Sequence, residues 1–219
     1  MKKSSIAMLG AAVVLALASA SSMAADAYAA YGTTGLRLGL DQGVGPFVSV
    51  RGEFNTMNYS SDFSTNSGNY TGTVKFDTAG LYADFHPFAG AFRLTAGALI
   101  GDHSITADGK ASNNGTYTIN GHSYSASGQS ISATANYSSI EPYVGLGFSG
   151  VPLLGTRGLT FFADLGVVYA KPSLTMNVSS GLAAQAGQAN ISAEQQQLQT
   201  KADEYKYYPV ISAGLGYAF

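Results

Sequence analysis

Polar and apolar residues alternate along most of the chain, in short segments set apart by turn residues. Leu36, Leu38 and Leu40 alternate with Arg37, Gly39 and Asp41, and Val48, Val50 and Phe54 with Ser49, Arg51, Glu53 and Asn55. The same period of two runs through Phe92–Ile100, Ile140–Phe148, Leu159–Tyr169 and Ile211–Phe219. Repeated segments of about ten residues with this period predict strands that meet lipid on one face and a polar interior on the other. The stretch Tyr70–His86 is less regular. Val74 and Phe76 share one parity while Leu81, Ala83 and Phe85 share the other. A register change at a β-bulge near Thr78–Gly80 would reconcile them.

Connections come in two sizes. Asp41–Pro46, Pro87–Ala91 and Gly150–Gly158 are short and rich in Gly or Pro. Ser60–Asn69, Ala107 to about Ser132, and about Ser179 to Tyr205 are long and rich in Ser, Thr, Asn and Gly. Short turns at one end and longer loops at the other are the habit of outer-membrane barrels. The long connections read as solvated loops, with Asp108-Gly109-Lys110 as a turn and Asn120-Gly121-His122 as another. Ala193–Glu204 has the composition of a short helix, its Gln195–Gln197 run forming a solvated face. Seven strands are placed this way, and such barrels have even strand numbers. The eighth lies in Ala25–Thr33, or in Pro172–Val178 after a sharp bend. The predicted fold is therefore all-β: a transmembrane antiparallel barrel of eight strands, with a short helix in the last long connection.

The N-terminus supplies an address. Lys2 and Lys3 precede an apolar run from Ile6 to Ala18, followed by small residues through Ala25. This is the layout of a secretory signal peptide, with Ser22 and Ala24 at the two small positions before the cut. The run is shorter than the roughly 18 apolar residues a membrane anchor needs. Residues 1–24 are expected to be removed, leaving residues 25–219 as one barrel domain in the bacterial outer membrane.

Composition agrees and excludes alternatives. Charged residues are only 11% of the chain, against roughly 25% in a soluble domain. The net charge is −2 with no basic block, which argues against nucleic acid as a partner. Cysteine is absent, so disulfides and thiolate chemistry are excluded. Tyr59, Tyr70, Tyr137, Tyr207 and Phe219 are expected in aromatic girdles at the membrane interfaces.

If the aliphatic parity faces lipid, the opposite parity faces the lumen. Arg37, Arg51, Glu53, Arg93, Glu141 and Asp164 then point inward from five strands, three cations against three anions. Charge on the lipid face costs up to about 2–4 kcal/mol at mid-membrane, which favours this placement. Such residues either line a solute path or pair with one another in a narrow interior, since eight strands leave room for little more than side chains. Catalysis finds little support. His86, His103 and His122 are scattered, and in Asp102-His103-Ser104 the histidine points to the opposite side of a strand from its neighbours. No metal-ligand spacing or cofactor motif is present.

The final strand reads SAGLGYAF. Ser212, Gly214, Tyr217 and Phe219 together look like the assembly signal read by the barrel assembly machinery, with aromatic residues on the lipid face. The segments AGLYADFH, FRLTAG, INGHSY, EPYVGLGF, FADLGVVY and YYPV follow between Ala79 and Val210. In this order and spacing they resemble the CarO-type outer-membrane channel proteins of Gram-negative bacteria, over about the last two-thirds of the mature chain. The resemblance implies a small eight-stranded barrel linked with uptake of ornithine and other basic amino acids. Residues and resemblance together lead to a non-enzymatic narrow channel for small hydrophilic solutes, surrounded by outer-membrane lipids and lipopolysaccharide. The alternative is a structural or surface-interaction barrel with a closed lumen; a lipid-modifying enzyme ranks last.

Overall fold

A computed structural model describes residues 25–65, 68–110, 115–153 and 158–219. The signal-peptide reading concerns residues 1–24 and lies outside them.

Eight strands close a barrel. In chain order they are β1 (Ala25–Gly32), β2 (Gly35–Gly43), β3 (Val48–Thr65), β4 (Gly68–Phe85), β5 (Phe92–Gly109), β9 (Ile140–Pro152), β10 (Gly158–Tyr169) and β12 (Tyr207–Ala218). Each pairs antiparallel with the next, β5 joins β9, and β12 returns to β1, with Tyr28 opposite Gly216 in that closing seam. The eighth barrel strand is thus Ala25–Gly32, the first of the two sequence candidates. The second, β11 (Pro172–Val178), is also a strand but pairs outside the barrel with β8 (Ile131–Tyr137). Among the described residues no helix is long and apolar enough to cross a membrane.

The outer surface shows where lipid would end. Leu38, Leu81, Val144, Leu165, Ile211 and Leu215 are all exposed, an arrangement that only an apolar solvent makes favourable. On β3 and β4 this belt stops at Phe54 and Ala79. Beyond it the same outward face carries polar cross-strand pairs: Thr56 donates to Asp77 at 3.1 Å, Ser60 meets Thr73 at 2.9 Å, and Thr71 donates to Asp62 at 2.8 Å. Strands of 18 residues exceed the 9–11 needed to span a bilayer, so β3, β4 and β5 project well past the belt.

No register change occurs in β4. Its pairing with β3 and with β5 is continuous through Thr78–Gly80. Phe76 shares the inward parity of Thr78, Tyr82 and Asp84, and all four are buried. The parity never flips; the outside solvent changes from lipid to water, so an apolar residue moves to the inside. A bulge exists elsewhere, where Ser149 and Gly150 of β9 together oppose Phe162 of β10, with Gly150 at φ 61°.

The long connections all lie at one end, as expected, but they are folded rather than loose. The first is the outer half of the β3–β4 hairpin. Asp108-Gly109-Lys110 is no turn: Gly109 pairs with Tyr70, and Lys110 donates its N–H to the Asn69 carbonyl at 2.7 Å. The second holds a hairpin of β6 (Thr116–Ile119) and β7 (His122–Ser125), then β8 laid against the projecting end of β5. Its turn is Asn120-Gly121, both at positive φ, as a tight two-residue hairpin requires. The third begins at the end of β10, earlier than Ser179, and holds β11 and two helices, α1 (Ser180–Ala186) and α2 (Gln188–Asp203), one more helix and several more residues than the composition indicated.

These pieces form a cap with its own core of Tyr117, Ile119, Ile131, Met176, Leu182 and Ile191. Within the glutamine run of α2, Gln196 and Gln197 are exposed as expected, but Gln195 and the later Gln199 turn to β11. Gln195 donates to the Leu174 carbonyl, Gln199 accepts from the Leu174 N–H at 2.7 Å and donates to the Pro172 carbonyl, and Gln197 reaches Asn120. Gln195 and Gln199 satisfy backbone groups on the open edge of β11, which would otherwise invite pairing with another chain.

Candidate functional site

Inward-facing side chains fill the barrel and meet at its centre. Arg37, Arg51, Glu53, Arg93 and Asp164 are brought together there, and none is more than 5% exposed. Asp164 of β10 is the hub. Arg93 of β5 reaches it at 2.7 Å, Arg37 of β2 at 3.1 Å and Arg51 of β3 at 3.3 Å. Strands β3 and β10 are four apart in either direction around the eight, so the Arg51–Asp164 pair crosses the whole lumen. Glu53 takes Arg37 at 2.6 Å and lies 3.5 Å from Arg51. It also accepts from the hydroxyls of Tyr28 and Tyr82, at 2.6 and 2.7 Å.

The third acid of the network is Asp84 rather than Glu141. Asp84 accepts from Arg51 at 2.9 Å, from Arg93 at 3.1 Å and from the Thr95 hydroxyl. Its position was readable, since it shares the parity of Tyr82 opposite Leu81, Ala83 and Phe85. Three guanidinium groups thus face three carboxylates, and the cluster is neutral. Glu141 is inward and buried, but it sits apart with His103, Oε1 to Nδ1 at 3.0 Å. The His103 ring lies between Phe76 and Tyr137, with ring centroids 3.8 and 4.0 Å away. Depth along the barrel separates Glu141 from the others, and strand parity carries no depth. Tyr137 is therefore an interior ring, not a girdle residue; Tyr207 and Phe219 are exposed, whereas Tyr59, though exposed, lies beyond the belt on the inward parity of β3 and is not in a girdle. Tyr70 packs against the cap core and stacks on Phe63, again not in a girdle.

Aromatic rings pack beside the ion pairs. Arg51 lies over the Tyr82 ring at 4.5 Å, Tyr82 meets Tyr143 edge to face, and Tyr28 stacks on Phe162 at 4.6 Å. Close approach of these rings to the wall needs glycine. A Cβ on Gly166 would lie 2.4 Å from the Tyr143 hydroxyl, and one on Gly80 2.4 Å from that of Tyr82.

The C-terminal strand serves both faces. Tyr217 and Phe219 are exposed on the belt, their ring centroids 5.1 Å apart. Ser212 turns inward and accepts a hydrogen bond from Arg37, which ties the end of the chain to the central network. Gly214 sits against the backbone of Ala29 and Ala30 in the closing seam.

The catalytic candidates stay apart. His86 contacts Ser49 and the Gly90 carbonyl at the turn end, His103 is enclosed as described, and His122 is exposed in the cap. Among the described residues no group of three or more His, Cys, Asp or Glu is placed to hold a metal ion. At the projecting end, outside the belt, Lys110 at 2.5 Å and the Thr71 hydroxyl hold the Asp62 carboxyl below the usual carboxylate range.

No family model matches the chain, and no curated protein does so either. Two crystal structures are similar to it. One, of Acinetobacter baumannii CarO2, has a TM-score of 0.64 at 23% identity, over 90% of this chain and 99% of that one. The other, of Acinetobacter baumannii CarO, has a TM-score of 0.59 at 24% identity, over 89% of this chain and 97% of that one. Closed strand pairing, apolar belt and structural likeness agree: the chain has the fold of a CarO-type, outer-membrane-type barrel of eight strands.

Proposed function

We propose that this chain is an outer-membrane protein with a lumen closed to solutes, acting through the folded cap it holds at the cell surface. The observation that carries this reading is the Arg51–Asp164 ion pair, which joins opposite walls of the barrel at 3.3 Å. Arg37, Arg51 and Arg93 are essentially inaccessible, and each is paired. A solute path would have to part these pairs, and exposing an unpaired buried charge costs several kcal/mol. The neutral balance of the cluster also gives no sign preference by which a channel would sort amino acids. On this reading the belt contacts outer-membrane lipids, the projecting strands reach lipopolysaccharide, and Ser212, Gly214, Tyr217 and Phe219 present the final strand to the barrel assembly machinery.

Liposome swelling tests the choice between closed barrel and solute channel. Vesicles carrying the folded protein are expected to swell no faster in isotonic glycine, ornithine or arabinose than protein-free vesicles. Faster swelling in any of them would restore the channel reading.

A further inference from the structure

The cap does not pack seamlessly on the projecting strands. Between them lies a cavity of about 270 Å³, walled by Phe63 and Tyr70 from the β3–β4 hairpin, Ile131 and Met176 from the cap sheet, and Glu194 and Leu198 from α2. It is partly open to solvent and approaches the size of sites that hold small ligands.

Its chemistry is one-sided. The walls are mainly apolar, and among the described residues Glu194 is the sole charged one lining them, with no Lys, Arg or His. The Glu194 Oε2 accepts the Asn120 N–H at 2.6 Å, which anchors the carboxylate to the β6–β7 turn. Phe63 and Tyr70 add stacked rings, their centroids 5.7 Å apart, whose faces attract both hydrocarbon and cations. An anion would meet only negative charge here. A neutral apolar molecule would cover the carboxylate without pairing it, which is costly. A free amino acid would bring a carboxylate with no cation to receive it.

We propose that this cavity binds a small hydrophobic ammonium, its apolar body against Ile131, Met176 and Leu198 and its cation on Glu194. The site goes beyond the closed-barrel reading, since it lies outside the lumen and can bind whether or not the barrel conducts.

Calorimetric titration of the full, folded protein in micelles with 2-phenylethylammonium is the test. Wild type is expected to show saturable binding, and 3-phenylpropanoate, of similar size and opposite charge, to bind at least about tenfold more weakly. Glu194→Gln keeps the shape and the acceptor but removes the charge, and is expected to weaken amine binding by about tenfold. Ala133→Leu fills the cavity from β8 and should abolish it; Ala107→Leu does the same from β5 should the first variant not fold. Heat-dependent gel migration establishes that each variant retains its barrel. Absence of saturable binding to wild type, or equal signals from wild type and the filled variant, would overturn the proposal. Liposome swelling is untouched by either result, so failure of this site and failure of the closed-barrel reading are told apart.

Discussion

Asp164→Ala is expected to destabilise the barrel by about 3–5 kcal/mol, the usual cost of removing one partner from a buried ion pair. Asp164 receives all three arginines. Without it, three guanidinium groups share Glu53 and Asp84 in a space that admits little water to replace the lost charge. Denaturant unfolding in micelles, followed by heat-dependent gel migration, reads the change. Two comparisons give the result its meaning. Arg51→Met with Asp164→Leu removes one charge of each sign across the lumen, and is expected to cost less than Asp164→Ala alone. Glu141→Ala breaks only the contact with His103, and is also expected to cost less. Equal stability of Asp164→Ala and wild type would mean that the central cluster does not hold the barrel together.

Leu182→Ala is expected to produce the second large effect, confined to the cap. Leu182 has no exposed surface and packs among the cap's apolar residues. Truncating a buried leucine costs about 2–5 kcal/mol, and the cap has only a small core from which to absorb it. The barrel draws its stability from its own closed pairing and its ion pairs, so the two units should separate. Limited proteolysis should cut the variant within 180–203 much faster than wild type, while the remaining barrel keeps its heat-dependent migration. Loss of cap and barrel together would show that they form a single cooperative unit.

Much of the barrel was legible in the chain because a membrane strand writes its environment at every second residue. Leu36, Leu38 and Leu40 against Arg37 and Asp41 are sufficient to orient β2. The same signal placed Arg51, Glu53, Arg93 and Asp164 inside before any contact was known. It misread β4, because the rule holds only while lipid lies outside. At Thr56 and Asp77 the exterior becomes aqueous, and Phe76 then turns inward for ordinary reasons of burial. Assuming lipid throughout turned that change of solvent into a change of register.

Pairing within the lumen was not legible. Parity says which wall a side chain leaves, but the height at which it meets another depends on the register of several strands. Glu141 and Asp84 both point inward, yet only Asp84 lies level with Arg51 and Arg93. The cap was hidden for a different reason. Ile119, Ile131, Met176 and Leu182 are widely separated in a background of Ser, Thr, Gly and Gln, with no period to mark them. Only their convergence makes a core.

Single-channel recording in planar bilayers tests the closed lumen most directly. Folded wild-type protein, inserted at a density verified by gel migration, is expected to give no resolved conductance steps at any applied voltage that the bilayer withstands. Reproducible unitary steps from the wild-type barrel would contradict the account.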